Sequence, residues 1–186
     1  MIYKAVRHFT LLIFLACLTL HGCSTGQSRV WLDDKASFAD YKVLEVRRFF
    51  NATGEGLKEE IPVALTTLLT EQLEERGFQV TKSWQANTGV LIVQSSIVFY
   101  QGCRIIKGTA STGLAVLGAV NKGTTTSQSS CTVQTALIDK VTGNTVAEIF
   151  TTKSVGACFT DQFKDQWLFK VLAEDIAKKI AKIMKA

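Results

Sequence analysis

Apolar residues recur in this chain at two different periods, and the order in which those periods alternate restricts its fold more than any other feature. Between Leu57 and Arg76, Ile61, Leu65, Leu68, Leu69 and Leu73 fall three and four apart, which places them on one stripe of a helix. Pro62 belongs to the first turn, where its missing N–H costs least, and Gly77 supplies a stop. A second, longer helix is predicted over Thr160–Lys185, where Leu168, Leu172, Ile176 and Ile180 lie four apart and Ile183 extends the stripe. Its charges suit its polarity. Asp161 and Asp165 sit near the start, and Lys178, Lys179, Lys182 and Lys185 sit near the end.

Strand character fills the intervals. Tyr41–Phe50 is β-branched around Val43 and Val46, and Phe78–Trp84 alternates apolar with polar residues. Val90–Tyr100 opens on a nearly continuous apolar run, so its first half is expected to be buried on both faces. Ser130–Lys140 and Thr145–Val155 flank the turn Thr142-Gly143-Asn144 and read as a hairpin. Gly102–Ser129 consists mostly of Gly, Thr, Ser and Ala and reads as a long loop with a small apolar patch at Leu114–Leu117. The expected order is β-α-β-β-loop-β-β-α. It describes an α/β (α+β) sandwich, a mixed sheet of about five strands with two helices packed on it.

The first 23 residues speak of location rather than fold. Lys4 and Arg7 precede Phe9–Leu20, an uncharged apolar run that ends at Leu20-His21-Gly22-Cys23. A basic start, a short apolar core and a small residue at the cut describe a secretory signal. The run is shorter than the ~17–25 residues of a membrane-spanning helix. Its Leu-x-Gly-Cys ending resembles the bacterial lipobox, in which Cys23 would be acylated on sulfur, as by palmitate, and become the first residue of the mature protein. Inner-membrane lipoproteins often carry Asp where Ser24 stands, so by the same resemblance the outer membrane is favoured. The expected organisation is a signal peptide over 1–22, a lipidated N-terminus and polar tether over 23–40, and a single periplasmic α/β domain over 41–186.

Composition narrows the chemistry. The net charge is +5, and two of the basic residues leave with the signal, so the balance argues for no nucleic-acid partner. Both histidines, His8 and His21, lie in the signal. The processed chain therefore lacks the imidazole that Ser-His-Asp or Cys-His catalysis and most metal sites use. Of the cysteines, Cys17 leaves with the signal and Cys23 is the lipid site, which leaves Cys103, Cys131 and Cys158. In an oxidising periplasm a disulfide between Cys103 and Cys131, flanking the long loop, is the preferred pairing. Cys131–Cys158 is the alternative, and the third cysteine remains a free thiol. Their spacings match no zinc pattern, and no C-x-x-C occurs. Lys122-Gly123-Thr124 is in the wrong order for a phosphate loop and is followed by a strand, which argues against a nucleotide. No metal, cofactor or catalytic residue is expected, and the chain reads as a non-enzyme.

Gly89-Val90-Leu91-Ile92-Val93, followed by Ile97–Gly102, is similar to the central strand of the family of the curli-secretion lipoprotein CsgG. Val133–Glu148 carries the turn Asp139-x-x-Thr142-Gly143-x-x-Val146 typical of that group. The Gly-rich middle, this hairpin and the closing helix also resemble the bacterial lipoproteins of domain-of-unknown-function family 4410, over Tyr41–Met184. The resemblance implies a fold related to the TolB N-terminal domain and supplies no activity. The expected function is that of a lipid-anchored outer-membrane accessory or adaptor, facing the periplasm and holding an envelope protein in assembly or transport. The alternative is a CsgG-like oligomeric secretion channel in which the Gly-rich loop, 108–129, contacts the membrane. The basic end of the last helix could lie on an anionic membrane, but a helix with one core face and one solvated face is the favoured reading.

Overall fold

Seven strands and two helices are present in the computed structural model, which describes residues 24–81, 89–107, 125–156 and 161–185. Residues 24–25, 103–107, 125–128, 156 and 161–164 are described by backbone alone. In chain order the elements are β1 (Ser24–Leu32), β2 (Val43–Val46), β3 (Phe50–Asn51), α1 (Glu60–Glu74), β4 (Gln79–Thr81), β5 (Val90–Lys107), β6 (Thr125–Asp139), β7 (Thr145–Gly156) and α2 (Asp161–Ile183). The strands form one mixed sheet in the order β1-β7-β6-β5-β2-β4, with β3 also paired to β5. From β1 to β5 the neighbours are antiparallel. The pairs β2–β5, β2–β4 and β3–β5 are parallel. Parallel strands need a crossover connection, and α1 makes the one between β3 and β4.

Period-two alternation sends one set of side chains to the helix-covered face. Leu91, Val93 and Ile97 of β5, Val133 and Leu137 of β6, and Ala147 and Ile149 of β7 are fully buried there. They meet Leu65, Leu69 and Leu73 of α1 and Leu168, Leu172, Ile176 and Ile180 of α2. These are the stripes visible in the sequence. Of the alternate positions, Gln94, Gln134, Phe150 and Trp31 are exposed, whereas Val90 and Ile92 at the start of β5 are buried, so that part of the strand is covered on both faces as expected. The architecture is two-layered, with both helices on one face of a sheet.

The strand count and order differ from expectation: seven strands, in the sequence β-β-β-α-β-β-β-β-α, instead of about five. Residues expected to form a flexible tether make β1, paired with β7 from Ser24↔Val155 to Leu32↔Ala147. An edge strand is held by its backbone hydrogen bonds, so its side chains need not advertise it. The strand expected over 41–50 is split, because the chain turns at Phe49 to bury that ring and to donate its N–H to Thr66 Oγ1 at 3.0 Å. The long loop is shortened from both sides, since the β5–β6 ladder continues to Lys107↔Thr125. Register shifts at Ile97/Phe99 and Gln101/Arg104 break its alternation and hide it from a pattern search. Residues 82–88, which include Trp84, and 108–124, which include the apolar patch, lie outside the described residues.

Candidate functional site

The turn that carries the family resemblance is a folding device. Asp139 Oδ1 accepts from the Thr142 N–H at 2.6 Å, and its backbone C=O accepts from the Gly143 N–H at 2.9 Å. Gly143 adopts φ 72°, which a glycine tolerates without strain. Asp139 Oδ2 accepts from the Tyr41 hydroxyl at 2.8 Å and so ties the hairpin to the lead-in of β2. The Thr142 backbone N–H is the main reason the Asp139 carboxyl titrates below its ordinary range. Burial, followed by this hydrogen bond to Asp139, pushes the Tyr41 phenol up to about 12.

Cys131 is the one cysteine whose side chain lies among the described residues. Cys131 lies opposite Tyr100 on the helix-covered face of β6, fully buried, with a free thiol. Burial, and then the charge of Asp165, push that thiol up to about 12, so it is protonated at neutral pH. Cys103 falls in the register shift between Gln101 and Arg104, at a position described by backbone alone. Cys158 and Cys23 lie outside the described residues, although Ser24, next to Cys23, opens β1.

Asp165 was not singled out as a site residue by sequence, yet it stands at a junction. Burial first, and hydrogen bonding to Asp165 second, raise the Tyr100 phenol above its ordinary range. The other carboxylate oxygen, Oδ1, is buried without a hydrogen-bond partner. Both residues line a cleft of ≈ 820 Å³ where the starts of α1 and α2 meet the far part of β5. Glu55, Lys58, Glu60, Gln101, Gln166 and Phe169 also contribute to its walls. Its charged lining residues are Glu55, Lys58, Glu60 and Asp165. Among the described residues no group of three or more His, Cys, Asp and Glu could hold a metal ion.

A second concavity, ≈ 560 Å³, runs between β1 and the C-terminal half of α2. Val30 forms one side, and Asp175, Lys178, Lys179, Lys182 and Lys185 form the other. Asp175 is already committed: Lys179 pairs with it one turn away, and Lys153 Nζ approaches from β7 at 3.4 Å. Burial opposes its ionisation, but these two ammonium groups outweigh it and lower its pKa. The lysines predicted at the end of the last helix thus converge on β1, the edge strand of the sheet among the described residues. Sequence placed them on the helix but gave no sign of β1 beside them.

No protein-family model matches the chain, and no curated protein is similar to it at a significant level. Solved structures of similar shape do exist. A PelC dodecamer from Paraburkholderia phytofirmans is 13% identical, with 82% of this chain and 94% of that one covered at a TM-score of 0.49. A minor lipoprotein from Acinetobacter baumannii is 19% identical over 78% of this chain and 94% of its own, with a TM-score of 0.45. A lipoprotein from Neisseria meningitidis is 10% identical over 75% and 98%, with a TM-score of 0.46.

Proposed function

We propose that this chain is a non-enzymatic lipoprotein of the bacterial envelope, acylated at Cys23 and docking a partner protein on the periplasmic side of the outer membrane. The junction at Ser24 carries the reading. The lipobox-like Leu20–Cys23 is followed at once by β1, so the anchor residue adjoins a folded sheet. No polar tether intervenes. The domain then stands on the bilayer by the end of the sheet that holds Ser24 and Val155, which pair directly. The buried, protonated Cys131 and the absence of histidine beyond residue 22 favour binding over catalysis. The test is a Cys23→Ala variant, followed by density-gradient separation of the membranes. The parent protein is expected with the outer membrane and the variant in the soluble fraction. Membrane attachment that survives the substitution would overturn the reading.

One observation favours a second reading, an oligomeric channel subunit. The last β6–β7 pair is Gln128↔Gly156, but the β5–β6 ladder runs on to Lys107↔Thr125. This two-stranded extension leaves the sheet at the Ser24 end, on the membrane side of the proposed arrangement. Light scattering on the lipidated protein in mild detergent separates the two. A ring-sized mass favours the channel, and a monomer or dimer favours the adaptor.

A further inference from the structure

The edge of the sheet beside α2 combines two unsatisfied features. The first is backbone. β1 has β7 as its one strand neighbour among the described residues, and no described strand pairs with its other side. Just past its end, the Asp33 N–H donates to the Val146 C=O at 3.0 Å and prolongs the β1–β7 ladder. Antiparallel pairing alternates, so Trp31, Arg29 and Gln27 turn their backbone groups toward β7 as Asp33 does. Leu32, Val30, Ser28 and Gly26 then point their N–H and C=O outward. Natural edges are commonly guarded by proline, bulges or charge. β1 contains no proline, its register is unbroken, and Arg29 is its one charged residue.

The second feature is charge. On the helix side of this edge, Lys178, Lys182 and Lys185 are exposed and have no carboxylate partner among the described residues. They face Val30 across the groove. The last turn of α2 carries Lys182 and no acidic side chain that could neutralise them. The groove lies ~20 Å along β1 from Ser24, at 3.4 Å per residue, so these lysines are directed away from a membrane held at Cys23.

We infer that the β1 edge and the α2 lysines together bind an extended acidic segment of a partner protein by strand addition. The added strand completes the outward hydrogen bonds of Gly26, Ser28, Val30 and Leu32, and every second side chain of it faces the lysines. Carboxylates at those positions complement Lys178, Lys182 and Lys185. A second copy of this chain fits poorly, because β1 itself has no acidic residue to offer and would set Arg29 against another basic edge. This names the chemistry of the partner in the docking role proposed above.

The experiment uses the full-length lipidated protein in detergent micelles and a fluorescein-labelled peptide of alternating glutamate and valine, about as long as β1. Fluorescence anisotropy at low salt is expected to show saturable binding. Replacing glutamate by lysine in the peptide should abolish it. Lys178→Glu combined with Lys182→Glu is expected to weaken binding by about tenfold or more. Ser28→Pro removes one outward N–H without touching the β7 ladder, so it should leave the melting temperature unchanged and still reduce binding. The same peptide, N-methylated on alternate amides of one edge, should bind as poorly. Absence of saturable binding, or binding indifferent to the lysine reversal, overturns the inference. Binding indifferent to both Ser28→Pro and N-methylation also overturns it, since that is polyanion attraction without strand addition. Fractionation of the lysine-reversed protein reports membrane attachment separately, so failure of the docking chemistry and failure of the anchoring are told apart.

Discussion

Gly26 stands opposite Lys153 in the β1–β7 ladder, and the lysine side chain occupies the space that a Cβ on Gly26 would fill. From that position Lys153 Cδ is 2.6 Å away, its Nζ 2.8 Å, and the Thr152 carbonyl oxygen 2.8 Å. The glycine is what lets Lys153 lie across β1 and reach Asp175 on α2. Sheet edge and helix are therefore tied through a residue with no side chain. Gly26→Val is expected to cost roughly 1–3 kcal/mol through this overlap. Urea unfolding of the variant beside the parent checks it. Equal midpoints would show that Lys153 leaves Asp175 at no cost.

Glu45 offers a pH test. Its carboxylate accepts from Lys140 Nζ at 2.7 Å and from Arg47 Nε at 3.3 Å. Burial opposes ionisation, but the two cations outweigh it and hold the group below its ordinary value of 4.5. A carboxyl depressed by folding contributes fully above its ordinary value, and the contribution fades as pH falls through the lower, folded one. Glu45→Gln should therefore cost roughly 1.5–3 kcal/mol near neutrality. The difference between variant and parent should shrink once the pH drops below 4.5. Denaturant titrations across that range measure it, and a difference that stays constant with pH contradicts the ion-pair account.

Native Cys131 should resist alkylation. Its thiol is fully buried and titrates at about 12. Iodoacetamide at mildly alkaline pH, followed by peptide mass mapping, is expected to leave residue 131 unmodified in the folded protein and to label it in guanidinium. Prompt labelling of the native state would show that the β6–α2 contact opens readily.

How much of this was written in the sequence depends on which atoms hold each element. The helices were legible because their apolar residues are the contacts: Leu65, Leu69, Leu172 and Ile176 are all fully buried. β6 and β7 were legible through alternation and through the Asp139–Gly143 turn, whose chemistry is local. β1 was missed because Ser24-Thr25-Gly26-Gln27-Ser28 pairs through peptide groups that every sequence possesses. The Tyr100–Cys131–Asp165 cluster brings together residues from β5, β6 and α2, and no spacing along the chain encodes that meeting. The lysine groove was half legible: the charges were read correctly, but their neighbour was not.

The hairpin turn gives a fourth test. Gly143 has φ 72°, a conformation a β-branched residue adopts only under strain. Gly143→Val should lower stability by roughly 1–2 kcal/mol, and Gly143→Asn by less, because asparagine tolerates the left-handed region. Thermal melts of both variants decide it. Equal losses from Val and Asn would point to the missing glycine itself rather than to backbone handedness.

The pairing of β1 with β7 also fixes an order of events during biogenesis. β1 is the first described segment to be synthesised, and its partner emerges only when the chain is nearly complete. On the proposed reading, the enzymes that acylate Cys23 and remove residues 1–22 work on the strand's immediate neighbour and need it loose. On that reading maturation comes before the pairing of Ser24 with Val155, which holds the residue next to Cys23 in the sheet. The first described strand to be made therefore waits for one of the last, and its ladder closes only when most of the chain has been synthesised.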